Sequence, residues 1–408
     1  MKLTRREILM LGAVLPGFGA LRATKAPRGT VPHQPSADAE PEWERIAREF
    51  VIEGMHLNTG TYGACPIPVL EATIHHLRAF ERITRQEHPD LPALHARLEQ
   101  FLGAWPGSVA IVRNTTEAMS IVAAGIELQR GDEILTTTHE HIGGRCCWEL
   151  LAARRGVVLN MFEPPLDARD DATLVRAWEA AITPRTRVLS ISHVLFTTGM
   201  IQPVAQLVQL ARRRGIVSVI DGAHPPGMLA LNLAALDADY YASSPHKWLM
   251  APKGTGLLIT RPDRLEQTWP LVGSGDWAAK DHRRFEHVGT ANESLVAGLA
   301  AAVAFQEQIG REAIETRSRA LATLLHEELS QIRGVTIVSP QAASLRSAMV
   351  SFTKENETAA QLQGRLGAAG IRTRRISESG YEYLRLSTAM HVLPRDIERV
   401  VGLIGRNA

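Results

Sequence analysis

Residues 217–247 read Val217-Ser-Val-Ile-Asp221-Gly-Ala-His224-Pro-Pro-Gly-Met-Leu-Ala-Leu-Asn-Leu-Ala-Ala-Leu-Asp-Ala-Asp-Tyr240-Tyr-Ala-Ser243-Ser244-Pro-His246-Lys247. Two apolar runs, Val217–Ile220 and Tyr240–Ala242, have the length and flanks of buried strands. Each is followed at once by polar residues, Asp221-Gly-Ala-His224 and Ser243-Ser244-Pro-His246-Lys247. In open α/β sheets ligands sit beyond the carboxyl ends of strands, where these residues fall. Asp221 closes a very apolar run, so water reaches its carboxylate only partly and an uncompensated charge there is costly. A cation beside it answers that cost.

The same pattern repeats outward from this stretch. Candidate strands Ser108–Val112, Glu133–Thr137, Val157–Phe162, Arg187–Ile191 and Gly256–Thr260 alternate with helical stretches Glu117–Leu128, Leu174–Ala181 and Pro203–Arg214. The alternation predicts an α/β fold with a mainly parallel seven-stranded sheet. Further polar runs, Asn114-Thr115-Thr116, Thr138-His139-Glu140-His141 and Ser192-His193, follow three of these strands and are expected to converge on one crevice. The composition changes after Glu293. Two helices, Leu295–Gln308 and Arg311–Ile332, precede strands Val335–Val338, Ala348–Thr353 and Leu384–Ser387 and a last helix, Pro394–Ile404, with Pro and carboxylates at its start. The expected organisation is a large domain over 65–293, a smaller α+β domain over 294–408, and a segment 42–64 packing on the smaller domain.

Composition excludes several classes. The 408-residue chain is 45% apolar and 22% charged, with a formal charge of +2. Those are globular values, and no basic stripe with interleaved aromatics argues for nucleic acid. The three cysteines, Cys65, Cys146 and Cys147, form no zinc or CxxC pattern and are read as packing residues. Near the start, Arg5-Arg6 precedes an apolar stretch reaching about Ala20, then Arg22 and Lys25. This resembles a twin-arginine export signal over 1–26, with a linker over 27–41, and implies a periplasmic or otherwise exported protein. At about a dozen residues, broken by Gly and Pro, the apolar stretch is too short for stable membrane insertion.

The order and spacing of the polar runs resemble the class V aminotransferase family of fold-type I enzymes that use pyridoxal 5′-phosphate (PLP). The most specific piece is Val219-Ile-Asp221-Gly-Ala-His224, with Lys247 standing 26 residues after Asp221. Leu57-Asn58-Thr-Gly60-Thr-Tyr-Gly63-Ala-Cys-Pro66 looks most like the isopenicillin N epimerase-like branch. The resemblance implies that Lys247 forms the imine with PLP and afterwards serves as base, and that Asp221 faces the ring nitrogen. His141 would stack on the ring, and His224 would donate to its phenolic oxygen. Thr115, Thr116, Ser244 and His246 would hold the phosphate. Thr290, in Gly289-Thr290-Ala-Asn292, would reach the phosphate of a neighbouring subunit, which implies a homodimer with shared active sites. Asn58 and Arg385 would bind the substrate, Arg385 by its carboxylate, a task suited to a guanidinium. Arg372, Arg374 and Arg375 could add a contact for an acidic side chain.

Two departures narrow the chemistry. Phe196 stands where desulfurases place an asparagine against the ring oxygen. Residues 354–384 contain no cysteine to accept sulfur, which argues against persulfide transfer. The expected function is action at the amino group or α-carbon of an amino acid, as an aminotransferase or epimerase. A PLP-dependent C–S or β-lyase is the alternative. Two readings of other classes stay open: a metal hydrolase using His139, His141, His193, His224 and His246, and a non-catalytic protein that keeps the fold.

Overall fold

A computed structural model describes residues 34–406. The export-signal expectation, and residues 27–33 of the linker, lie outside the described residues. After a helix at Glu40–Ala47, the strands in chain order are β1 (Met55–His56), β2 (Val109–Val112), β3 (Glu133–Thr137), β4 (Val158–Phe162), β5 (Thr186–Ser192), β6 (Val217–Asp221), β7 (Tyr240–Ser243) and β8 (Gly256–Thr260). The strands after residue 330 are β9 (Val335–Ile337), β10 (Met349–Lys354), β11 (Ile371–Arg372), β12 (Arg374–Ile376) and β13 (Tyr383–Ser387).

Seven strands form one sheet in the order β2-β8-β7-β6-β5-β3-β4. The pairs β3/β4, β3/β5, β5/β6 and β6/β7 are parallel, while β8 runs against both its neighbours. The sheet is therefore mainly parallel, as the alternating pattern predicts. Side chains alternate across it, as the pleat requires. Leu135, Leu189, Ile220 and Tyr241 face one core with helices Leu91–Leu102, Val204–Arg213 and Glu293–Ile309. Ile134, Val188, Val219 and Tyr240 face the other with helices Thr115–Gly125 and Ile142–Arg155. Each fully buried Val, Leu or Ile contributes about 1.5–3 kcal/mol, so both faces hold the strand ends rigidly.

A second, antiparallel sheet has the order β12-β13-β10-β9. It packs with helices Arg311–Ser330, Ala359–Ala368 and Pro394–Gly405. β1 pairs in parallel with β11, setting Met55 opposite Ile371 and His56 opposite Arg372, so the early chain is tied to this part of the molecule.

Several boundaries differ from the pattern-based reading. The helix expected at 117–128 starts at Thr115, because the Asn114 side chain accepts from the Glu117 N–H and caps it, and it ends at Gly125. Helices Ile67–Phe80, Leu91–Leu102, Ile142–Arg155 and Ala359–Ala368 were not expected. The third contains Gly143, Gly144 and two cysteines, which obscure its period. Strands β11 and β12 are short and arginine-rich, so no apolar alternation marks them.

Candidate active site

All strands of the large sheet except β8 point their carboxyl ends toward one edge. There a cavity of about 290 Å³ is lined by Thr115 and Thr116 after β2, His141 after β3, Asp221 at the end of β6 and His224 after it, and Ser244, His246 and Lys247 after β7. Arg385 reaches it from β13 of the second sheet. Of the residues to which the family resemblance gives a cofactor or substrate role, Asn58 and Thr290 do not line it, and neither do Arg372 and Arg375 of the basic cluster. Asn58 stands behind Arg385, with its Oδ1 3.4 Å from Nη2. Thr290 is exposed on the loop before helix Glu293–Ile309.

One end of the cavity is built for an anion. The Asn114 cap aims the first turn of helix Thr115–Gly125 into it, and a helix N-terminus offers unpaired N–H groups and a favourable dipole. Ser244 Oγ accepts from the Thr115 N–H at 3.1 Å and shares a 2.8 Å hydrogen bond with Thr115 Oγ1, which ties the ends of β2 and β7 together. His246 Nδ1 donates to the Thr255 carbonyl at 2.8 Å.

The histidines of the wall are held neutral with defined tautomers. Gly143 N–H donates to His141 Nδ1 at 3.0 Å, so the ring proton sits on Nε2. Burial, reinforced by the charge of Lys247, pulls His141 down to about 3. Its ring meets Phe196 edge-on, with centroids 4.9 Å apart. Trp248 Nε1–H donates to His224 Nδ1 at 3.1 Å, which leaves Nε2–H as the outward donor of His224. Burial holds His224 far below the usual imidazole range. A neutral imidazole with a fixed N–H suits an electron-rich oxygen on a ligand.

A carboxylate and an amine form the floor, Asp221 and Lys247. Asp221 is 5% exposed, and its Oδ1 accepts from the Ala223 N–H at 2.9 Å. Burial raises its proton affinity and the charge of Lys247 opposes this. Lys247 is pushed down to about 8 by burial, against the pull of Asp221. An amine so placed is partly unprotonated near neutrality and competent as a nucleophile and a base. Gly144 is required by this packing. A Cβ there would stand 2.5 Å from Asp221 Oδ2 and 3.0 Å from Glu140 Oε1.

Arg385 closes the cavity opposite. It is 2% exposed, and its Nη1 donates to the Phe196 carbonyl at 2.6 Å. No carboxylate pairs with it among the described residues, and its Nε has no partner. Burial pulls it down to about 9, so it stays charged near neutrality. A buried, uncompensated guanidinium calls for an anion from outside the chain.

Sequence reasoning missed part of this. Of the basic cluster Arg372, Arg374 and Arg375, named from sequence as a possible contact, Arg374 alone lines the cavity. Gly60 lets the chain pass Arg385, since a Cβ would fall 2.7 Å from Nη2; the Asn58-Thr-Gly60 segment was the available signal. Glu140 was recognised only as part of a polar run. His139 lies outside the wall, bonded to Thr197 and Glu163 and stacked on Tyr381. Of the other histidines of the hydrolase alternative, His193 is bonded to Tyr241, and His141, His224 and His246 line the cavity without bringing their ring nitrogens into a metal-type cluster among the described residues. Among the described residues, the group whose ligand-type atoms do approach is His95, His282 and Glu286, none of which lines the cavity.

Comparisons with known proteins agree with this geometry. Residues 72–395 match the family model described as aminotransferase class-V. The chain is 35% identical over 334 residues to isopenicillin N epimerase of Streptomyces clavuligerus, covering 76% of this chain and 84% of that protein. The cysteine desulfurase CsdA of Escherichia coli has a similar fold, with a TM-score of 0.79 at 24% identity, over 89% of this chain and 97% of that one. A C-DES variant with glycine covalently linked to its PLP cofactor gives 0.78 at 24% identity, over 86% and 96% of the two chains.

Proposed function

This chain belongs to the aminotransferase class-V family, and from that premise we propose that it moves a proton at the α-carbon of an amino acid or amino-acid-containing small molecule, with Lys247 as the base. It is a PLP-dependent enzyme of α/β fold-type I architecture. The residues present fit the cofactor. The helix N-terminus at Thr115 with Thr116, Ser244 and His246 would hold the phosphate. Asp221 would hold the ring nitrogen, His141 would cover one face, and the Nε2–H of His224 would meet the phenolic oxygen. PLP, when bound, delocalises the charge left on the α-carbon.

The observation that carries the reading is Lys247, half-buried on the wall it shares with Asp221 and Arg385 and depressed to about 8. Arg385 binds the carboxylate and fixes the α-carbon, and burial excludes water. Nζ of Lys247 then accepts a proton at a pH where free lysine would already carry one. The epimerase relative favours return of that proton to the α-carbon over loss of the amino group. Loss of a β-substituent is the second reading, favoured by the desulfurase-like fold. Its sulfur-accepting form lacks a cysteine in residues 354–384, and none of the three cysteines lines the cavity. Incubating holoenzyme with amino acids in deuterium oxide distinguishes these outcomes. Deuterium at the α-position without keto acid supports epimerisation. Keto acid with cofactor in the amine form indicates transamination, and pyruvate with ammonia indicates elimination.

The active unit in this reading is a homodimer in which Thr290 serves the neighbouring site. An exposed aromatic pair, Trp269 and Trp277, stacked 6.2 Å apart and 56% and 50% exposed, offers apolar surface for such a contact. Recovery of activity on mixing inactive Lys247→Ala and Thr290→Ala proteins tests it. Export by the twin-arginine route rests on Arg5-Arg6 and the apolar stretch after it. Cell fractionation of the Arg5→Lys, Arg6→Lys double variant, which should stay in the cytoplasm, tests that.

A further inference from the structure

Glu140 immediately precedes His141 in the turn after β3, and it is 2% exposed. No cation pairs with it among the described residues. Ser192 Oγ donates to its Oε1 at 2.5 Å, Thr136 Oγ1 to its Oε2 at 3.2 Å, and the His141 N–H to its Oε1 at 3.2 Å. These bonds tie the turn that presents His141 to the ends of β3 and β5. Glu140 Oε1 and Asp221 Oδ2 both crowd the point where a Gly144 Cβ would stand, so two buried carboxylates share one pocket. Among the described residues the cation facing this pair is Lys247, which acts on Asp221. The other titratable neighbours are His141 on the same turn, the Cys147 thiol on helix Ile142–Arg155 and, beside Asp221, the Tyr241 hydroxyl of β7.

Two like charges this close in a dry pocket repel strongly, and one of them takes up a proton. Asp221 has Lys247 and, in the reading above, a ring nitrogen to compensate it. Glu140 has neither. We propose that Glu140 is a positioning residue that holds the spare proton of the site: it fixes the His141 turn while leaving Asp221 as the one anion presented to Lys247 and the cofactor. The direction of its proton affinity agrees, since burial and then the charge of Asp221 push Glu140 up to about 8. Above that pH a second negative charge appears beneath the cofactor. The inference rests on PLP occupying this cavity, but the state of Glu140 can be read without it.

The test compares wild type with Glu140→Gln, a neutral isostere, in two ways. In the holoenzyme, absorbance of the bound cofactor is scanned from pH 6 to 10. The two spectra should coincide below pH 7, and wild type should show an alkaline step near pH 8 that Glu140→Gln lacks. Superimposable curves over the whole range, or displacement already at pH 6, would overturn the proposal. In the cofactor-free protein, melting temperature is followed from pH 5 to 9. A carboxyl whose folded proton affinity exceeds its unfolded value stabilises the fold at low pH, and that stabilisation is lost as pH rises toward about 8. Wild type should therefore lose several degrees relative to Glu140→Gln across that window. A constant offset at every pH would mean a merely structural residue and would also overturn the proposal. If Glu140→Gln does not fold, Ser192→Ala serves instead. It removes a bond that favours the ionised form, so the alkaline step should move up, and an unmoved step would refute the idea. Failure to bind PLP with a normal melting profile would count against the cofactor reading and leave the proton on Glu140 established.

Discussion

Replacing Arg385 by Gln removes the buried cation that lines the substrate side of the cavity and leaves a shorter neutral amide in its place, at the loss of the single bond to the Phe196 carbonyl. Arg385 is 2% exposed, has an unpartnered Nε, and makes no ion pair within the described chain. Truncating one partner of a buried, hydrogen-bonded charge pair costs about 2–5 kcal/mol. At roughly 1.4 kcal/mol per tenfold, this is about 30- to 4,000-fold in affinity for a carboxylate. The fold should be nearly indifferent, since no internal ion pair is broken; we expect a change within about 1–2 kcal/mol. The assay titrates holoenzyme with α-amino acids and with their α-amides, following cofactor absorbance. Wild type should prefer the acid by that factor, and Arg385→Gln should bind acid and amide alike. A variant that kept the preference would place the carboxylate elsewhere, with Arg374 the next candidate on the wall. A large loss of stability would show that Arg385 is a structural cation, and the reasoning from its missing partner would fail.

Other consequences follow from the same geometry. His224→Gln, which retains an N–H donor, should keep most of the PLP affinity, whereas His224→Leu should lose about tenfold, the worth of one hydrogen bond of about 1–1.5 kcal/mol; equal losses would mean that His224 does not donate to the cofactor. Gly144→Ala sets a methyl 2.5 Å from Asp221 Oδ2, and overpacking of this kind costs about 1–3 kcal/mol. An unchanged urea midpoint would show that the carboxylates do not crowd that point. The rate at which PLP loads the cofactor-free protein should rise about tenfold per pH unit up to about 8 and then level, because only the free amine of Lys247 attacks. A rate still climbing at pH 10 would mean that burial does not depress this lysine.

Much of this site was legible because strand ends in a parallel sheet are marked twice, once by an apolar run and once by the polar residues that end it. Asp221, Ser244, His246 and Lys247 are all found that way, and the sheet brings them to one edge. Arg385 was carried by family resemblance alone; its burial follows from packing of the second sheet against the first, which no local pattern encodes. Glu140 escaped notice for a similar reason. Its meaning depends on Asp221, 81 positions away, and on Gly144, whose missing side chain leaves room for both carboxylates. The tautomer of His224 depends on Trp248, which reads in sequence as an ordinary core residue. The helix Ile142–Arg155 and the short strands β11 and β12 were missed because glycines and arginines break the period on which such readings rest.

The central claim is that Lys247 is the residue joined to PLP. Reducing the holoenzyme with borohydride, digesting it and mapping the labelled peptide by mass spectrometry tests this directly. The account predicts loss of the visible absorption band and a single pyridoxyl-phosphate adduct on Lys247, absent from Lys247→Ala. An adduct on Lys253 or any other lysine, or a band that survives in Lys247→Ala and is reduced in the same way, would contradict it.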